Sequence, residues 1–189
     1  MPPDNILLFG QIFGLCLAAL SFLVYLQKSR GEILITKLIL DVLNIFQQAM
    51  VGAFTGSVIN GIAVLREIVF YHKEEKKWAK SKVWLIVFLL LMTAAPIVSW
   101  QGFISLLPAI GSSLVVVGFY CSNPKLLRIF GIIGQSFWVV YSCIILNLGG
   151  IIGSSLCILG GIIGFINDLK IQKINESDKK IVKEKNNEG

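Results

Sequence analysis

Charge is the scarcest feature of this sequence. Asp, Glu, Lys and Arg make up 15% of its 189 residues, where an ordinary soluble domain carries about 25%. Histidine occurs once, as His72 beside a lysine-rich stretch, so imidazole-based metal chemistry is not expected. The four cysteines, Cys16, Cys121, Cys143 and Cys157, form no CxxC pair, which argues against a disulfide framework and against a thiolate metal site. No Gly-Lys-Ser/Thr follows the glycine clusters, so Gly149-Gly150-x-x-Gly153 and Gly160-Gly161-x-x-Gly164 read as helix-packing motifs and not as phosphate loops. Ser112-Ser113 and Ser154-Ser155 have no histidine or acid at hydrolase spacing. Enzymatic activity, a cofactor and a bound metal are therefore not expected.

What the chain has in abundance is apolar sequence: 55% of residues are hydrophobic and the mean hydropathy is +0.77. The apolar residues come in runs close to the ~20 residues needed to cross a bilayer as helix. Seven spans follow: Ile6–Leu26, Ile33–Val51, Phe54–Tyr71, Val83–Val98, Phe103–Tyr120, Leu126–Leu146 and Ile151–Ile166. The expected fold is all-α, a polytopic membrane protein with the lipid bilayer as its first partner. The net charge of +6 does not point to nucleic acid, because the basic residues are dispersed over loop ends and the tail.

Their positions instead set a topology. No Lys or Arg precedes the first span, whereas Lys28 and Arg30 follow it, so the first helix is expected to stay in place with its N-terminus outside. With seven alternating spans, Lys28 and Arg30, the loop Lys73–Lys82, Lys125 and Arg128, and the tail all fall on the cytoplasmic side. The connections Gly52–Ala53, Ser99–Gly102 and Asn147–Gly150 hold no charge. Lys37 and Arg66 lie within spans, near enough to the inner side to snorkel. Trp78, Trp84 and Trp100 sit at the span boundaries expected of interface anchors. Pro96 is expected to kink or end the fourth span.

An internal repeat organises these spans. Lys37, Asn44 and Phe46 line up with Arg128, Gln135 and Phe137 at one offset of 91 residues, which also carries Ser21 onto Ser112. Three spans are thus repeated and the fourth returns the chain for the second triplet, giving two parallel repeats in a 3+1+3 plan. The corresponding divisions are 1–71 for the first triplet, 72–102 for the cytoplasmic loop and linker helix, 103–167 for the second triplet and 168–189 for a poorly ordered cytoplasmic tail.

The 3+1+3 plan with an outer N-terminus resembles the SWEET sugar transporters and their PQ-loop relatives. That resemblance implies a proline hinge in each triplet, a role Pro108 can fill, although its mate at the same offset is Leu17 and no Pro-Gln occurs. A closer resemblance, from about Gln11 to Lys170, is to the bacterial inner-membrane family named after YgjV. It rests on Ser105-Leu106-Leu107-Pro108-Ala109-Ile110-Gly111, on Phe137-Trp138-Val139-Val140, on Leu148-Gly149-Gly150-Ile151 and on the Asn60–Arg66 segment. It implies a bacterial inner membrane and carries no activity with it.

Chemistry is expected where polarity interrupts the spans. Lys37, Asp41, Asn44 and Gln48 follow at +4, +3 and +4 and so share one face of the second span. A carboxylate at bilayer depth costs about 2.5 to 3.5 kcal/mol on insertion scales, so Asp41 must face protein or water. Asp41, Asn44, Gln48, Asn60, Gln135 and Trp138 are the candidate solute-binding residues, with Lys37 and Arg66 as charge partners of Asp41. The reading is a small polytopic transporter that rocks two three-helix bundles about a midplane site for a small polar solute. The alternative is a membrane scaffold or partner subunit whose polar residues hold helices together.

Overall fold

The computed structural model describes the backbone of residues 2–187 and the side chains of residues 2–172. Among the described residues it contains seven α-helices and no strand: α1 (Asp4–Val24), α2 (Arg30–Met50), α3 (Phe54–Tyr71), α4 (Val83–Val98), α5 (Leu106–Tyr120), α6 (Pro124–Ile144) and α7 (Leu148–Asn187). Six helical stretches are long and apolar enough to cross a membrane, and α4 is a shorter apolar helix. The tail expected at 168–189 falls from residue 173 outside the described side chains; residues 168–172 continue α7.

Local sequence explains where the helices start and stop. Ser29 and Glu32 form a reciprocal capping box at the head of α2, which satisfies two backbone donors that a helix N-terminus otherwise leaves free. Asn123 caps α6, with Pro124 at the first helical position, where its missing N–H costs nothing. The turns after α2 and α6 are alike. Gly52 has φ 75° in the first, and Leu146 has φ 56° in the second. Glycine reaches that left-handed region freely, but leucine does so only at a cost.

These matched ends give the true register of the repeat. Ser29 and Asn123 are the N-caps, Val51 and Ile145 the C-caps, of two helices of 21 residues each. The offset is therefore 94 residues, not 91. In this register the buried positions Ile33, Leu34, Lys37, Leu40, Asp41, Gln47 and Gln48 of α2 meet buried Leu127, Arg128, Gly131, Gly134, Gln135, Tyr141 and Ser142 of α6. The three-residue difference is close to one helical turn, so the Lys/Arg and Asn/Gln matches fell on nearly the same face.

The helices close into a ring, α1–α2–α3–α5–α6–α7 and back to α1, in which neighbours recur in the same order in both triplets. Helix α4 stands outside it, against α3 and α5. The ring is apolar outside and polar inside. Leu8, Phe9, Phe46 and Leu65 are exposed, while Arg30, Asp41, Gln48, Asn60, Arg66, Glu67, Arg128 and Gln135 are buried. A soluble domain shows the opposite arrangement; this one suits lipid as the outer solvent, with ionisable groups turned to the bundle interior.

The two seams between triplets differ. Along α1 and α7 the backbones meet directly: a Cβ on Gly149 would stand 2.5 Å from the Gly14 Cα, and one on Gly160 would stand 2.3 Å from the Phe22 carbonyl oxygen. Along α3 and α5 side chains make the contact. The Arg66 guanidinium lies 4.9 Å above the centre of the Phe119 ring, and Thr55 Oγ1 lies 3.1 Å from Ser105 Oγ.

Both ends of the ring are tied across these seams. At one end Arg30 of α2 donates to the carbonyls of Phe70 and Phe119 at 2.9 Å and of Cys121 at 3.3 Å. Arg128 of α6 donates to Tyr25 at 3.0 Å and Gln27 at 2.6 Å, and pairs with Asp168 of α7. Each arginine thus answers carbonyls at helix C-termini, which have no intrahelical partner and carry partial negative charge. At the other end the ties are neutral. Gln11 donates to Leu146 O at 2.9 Å, Gln47 to Asn147 Oδ1 at 2.9 Å, and Gln101 to Gly52 O at 2.9 Å.

Candidate functional site

Inside the ring is a cavity of about 50 Å³, room for roughly three to five waters at the 10–15 Å³ each needs. Its wall draws on all six ring helices and on none of α4. The candidate residues Asp41, Asn44, Gln48, Asn60, Gln135 and Trp138 all line it, as do Lys37 and Arg66. Ser21 and Leu17 of α1, Ser112 and Val115 of α5, and Gly149, Gly153, Ser154 and Cys157 of α7 complete much of the wall. Pro108 is the exception. It lies in the first turn of α5, after a 3₁₀ turn at Phe103–Ser105, where a proline removes no helical hydrogen bond. It begins the helix there and does not interrupt it.

Charge gathers on one side of the cavity. Lys37 donates to Oδ1 of Asp41, one turn away on α2. Nη2 of Arg66 lies 3.8 Å from Asp41 Oδ2 and 2.6 Å from Glu67 Oε1. Asp41 and Glu67 are both 0% exposed. Lys37 and Arg66 therefore do not snorkel to the membrane surface; each turns inward to a carboxylate. The cluster sets two basic side chains against two acidic ones, the pairing that offsets the cost of removing such groups from water. In the 94-residue register their mates are Gly131, Gln135, Gly160 and Gly161, so the whole cluster belongs to the first triplet.

Opposite it the wall is uncharged. Trp138 Nε1 donates to Ser112 Oγ at 3.2 Å, and its ring meets Tyr141 edge-on at 5.9 Å between centroids. This satisfies the indole N–H while leaving an aromatic surface at the cavity. Gln48 packs over Gly56, whose missing side chain makes room for it: a Cβ there would lie 2.9 Å from Gln48 Oε1. Among the described residues four buried wall atoms have no hydrogen-bond partner: Asp41 Oδ2, Gln48 Oε1, Asn60 Nδ2 and Arg66 Nε. Two are acceptors and two are donors. A buried polar group left unpaired costs about 1–3 kcal/mol, so such a set is costly unless something small and polar meets it.

Glu67 is the residue that the sequence argument passed over. Its signal was available, a carboxylate inside an apolar span, but its place near the end of α3 reads as a surface position. Gln47, Asn147, Thr55 and Ser105 are further buried polar residues that tie helices together.

A family model described as Imp-YgjV, bacterial inner membrane protein, matches residues 8–170. The chain belongs to this family. No curated protein and no solved structure matches it. As a YgjV-family protein the chain sits in the bacterial inner membrane as a multi-pass helical protein. The bilayer then surrounds the apolar face of the ring, and the polar cavity is the part of the YgjV-type fold screened from lipid.

Proposed function

We propose that the protein carries a small polar solute across the inner membrane, through the cavity between its two helix triplets. The observation that carries this reading is that cavity: both triplets build it, and its wall includes unpaired donors and acceptors. A scaffold would be better served by a dry core in which every polar group had a partner. The SWEET-like 3+1+3 plan supports the same reading by giving two parallel bundles that can rock about a shared centre. Asp41, Asn44, Gln48, Asn60 and Gln135 would replace the solute's water, and Trp138 would stack on it.

The same proposal puts the N-terminus outside and the C-terminus in the cytoplasm. The distribution of lysine and arginine supports that orientation.

The test of transport is uptake of small polar solutes into proteoliposomes holding the full chain, with and without a pH gradient. Asp41→Asn should lower the initial rate by about tenfold or more, equivalent to about 1.4 kcal/mol. Wild-type protein that moves none of the solutes, or an Asp41→Asn variant at the full rate, would end this reading. Orientation is checked separately with an impermeant thiol reagent, using Ser99→Cys and Ser81→Cys in a chain whose native cysteines are replaced by alanine. Labelling of position 99 from outside and of position 81 only after permeabilisation is the expected result.

A further inference from the structure

Arg66 is shared unequally between two buried carboxylates, and this inequality has a chemical meaning. Its Nη2 is in hydrogen-bond contact with Glu67 at 2.6 Å but stands off Asp41 at 3.8 Å. Asp41 also has Lys37 donating to it. Among the described residues Glu67 has Arg66 as its one ion-pair partner, and its Oε2 is buried with no donor bonded to it. Glu67 thus has one cation in contact, whereas Asp41 has one in contact and a second at 3.8 Å.

We propose that Glu67 is a proton-binding site, and that filling it hands Arg66 over to Asp41. The ligand is a proton from the aqueous phase. It adds to Oε2 of the Glu67 carboxylate, an O–H bond forms, and no other covalent bond is made or broken. Arg66 then has no anion at its 2.6 Å contact, and its nearest remaining anion is Asp41 Oδ2, already within 3.8 Å. The cluster of Lys37, Asp41, Arg66 and Glu67 goes from formal charge zero to one positive, and the excess lies on the cavity wall, which includes Arg66, Asp41 and Lys37. Loss of the proton reverses each step.

The surroundings isolate this exchange. Among the described residues the other buried titratable side chains nearby are Cys157 of α7, on the same cavity wall, and Tyr25, just after α1, packed against α6 and α7. From α5 the group over Arg66 is the uncharged ring of Phe119, and α6 presents Gln135 where α2 presents Asp41. In consequence, resting on the transport reading above, the proton is the coupling ion and Glu67 carries it.

The experiment reads the proton directly and needs no solute. The full chain in detergent is titrated from acid to alkaline pH while the infrared carbonyl band of a protonated, buried carboxylic acid is followed. The expected result is a titrating band that Glu67→Gln abolishes and Asp41→Asn retains. Should Glu67→Gln fail to fold, Glu67→Asp keeps an acid in place and should shift the band without removing it. No titrating buried acid in the wild type, a band lost in Asp41→Asn but kept in Glu67→Gln, or a band unmoved by Glu67→Asp would overturn the assignment. A protein with the Glu67 band that moves no solute would sink the transport reading and leave the proton site standing.

Discussion

The seam between α1 and α7 and the seam between α3 and α5 join the same two triplets by different means. In the first, glycines let backbones touch: Gly14 against Gly149, Gly160 against the Phe22 carbonyl, Gly164 against that of Tyr25. In the second, side chains hold the helices apart and carry the contact. The 94-residue register shows how one repeated pattern supports both. Gly149, Gly153, Gly160, Gly161 and Gly164 of α7 stand where α3 has Thr55, Ile59, Arg66, Glu67 and Phe70. Where the second triplet has no side chain, the first has its charges. Tight packing and intramembrane chemistry are thus alternative uses of the same face, because a helix cannot approach its neighbour's backbone and also seat an arginine there.

The largest effect on this contrast is expected from Arg66→Met, which leaves Glu67 buried without its partner. Removing one member of a buried pair costs about 3–5 kcal/mol, read as unfolding free energy in mixed micelles. Combining it with Glu67→Gln should restore much of that loss, since the two residues act as one unit.

A smaller effect is expected from Gly160→Ala. Its Cβ would lie 2.3 Å from the Phe22 carbonyl oxygen, a backbone atom that cannot turn aside. Overpacking of this kind costs about 1–3 kcal/mol and should appear as a lower melting temperature in detergent. Least of all is expected from Gly61→Ala, on the same helix as Arg66 but with nothing within 4 Å of an added Cβ. It should be neutral or stabilise α3 by up to about 1 kcal/mol. If Gly160→Ala proved as harmless as Gly61→Ala, the distinction between a backbone-built and a side-chain-built seam would fail.

Much of this was legible in the chain itself. The polar stripe of α2 stood out because charge is so rare in the spans, and the structure gathers its members around one cavity. Span limits were legible as well: α3 and α4 have the expected ends. The register of the repeat was not. Matching Lys37 to Arg128 compares chemical types, while the fold matches positions by caps and turns, and the second turn uses Leu146 in a conformation its residue type does not announce. The snorkelling expected of Lys37 and Arg66 also gave way, because a carboxylate inside the bundle offered each a nearer partner than water. Arg30 was read only as a topology signal, and Arg128 as a topology signal and as the repeat mate of Lys37. Their bonds to carbonyls on other helices depend on tertiary placement, which no local pattern encodes.

Helix α4 spans 16 residues, about 24 Å at 1.5 Å per residue, against a hydrocarbon core of about 30 Å. A helix this short is met by local thinning of the bilayer or by flanking side chains such as Lys80 and Lys82 reaching to the headgroups. Because α4 packs on α3 and α5 and not on α1 or α7, that deformation is confined to one flank of the molecule. Lipid acyl-chain length is therefore expected to act on the seam holding Arg66 more than on the one built of glycine.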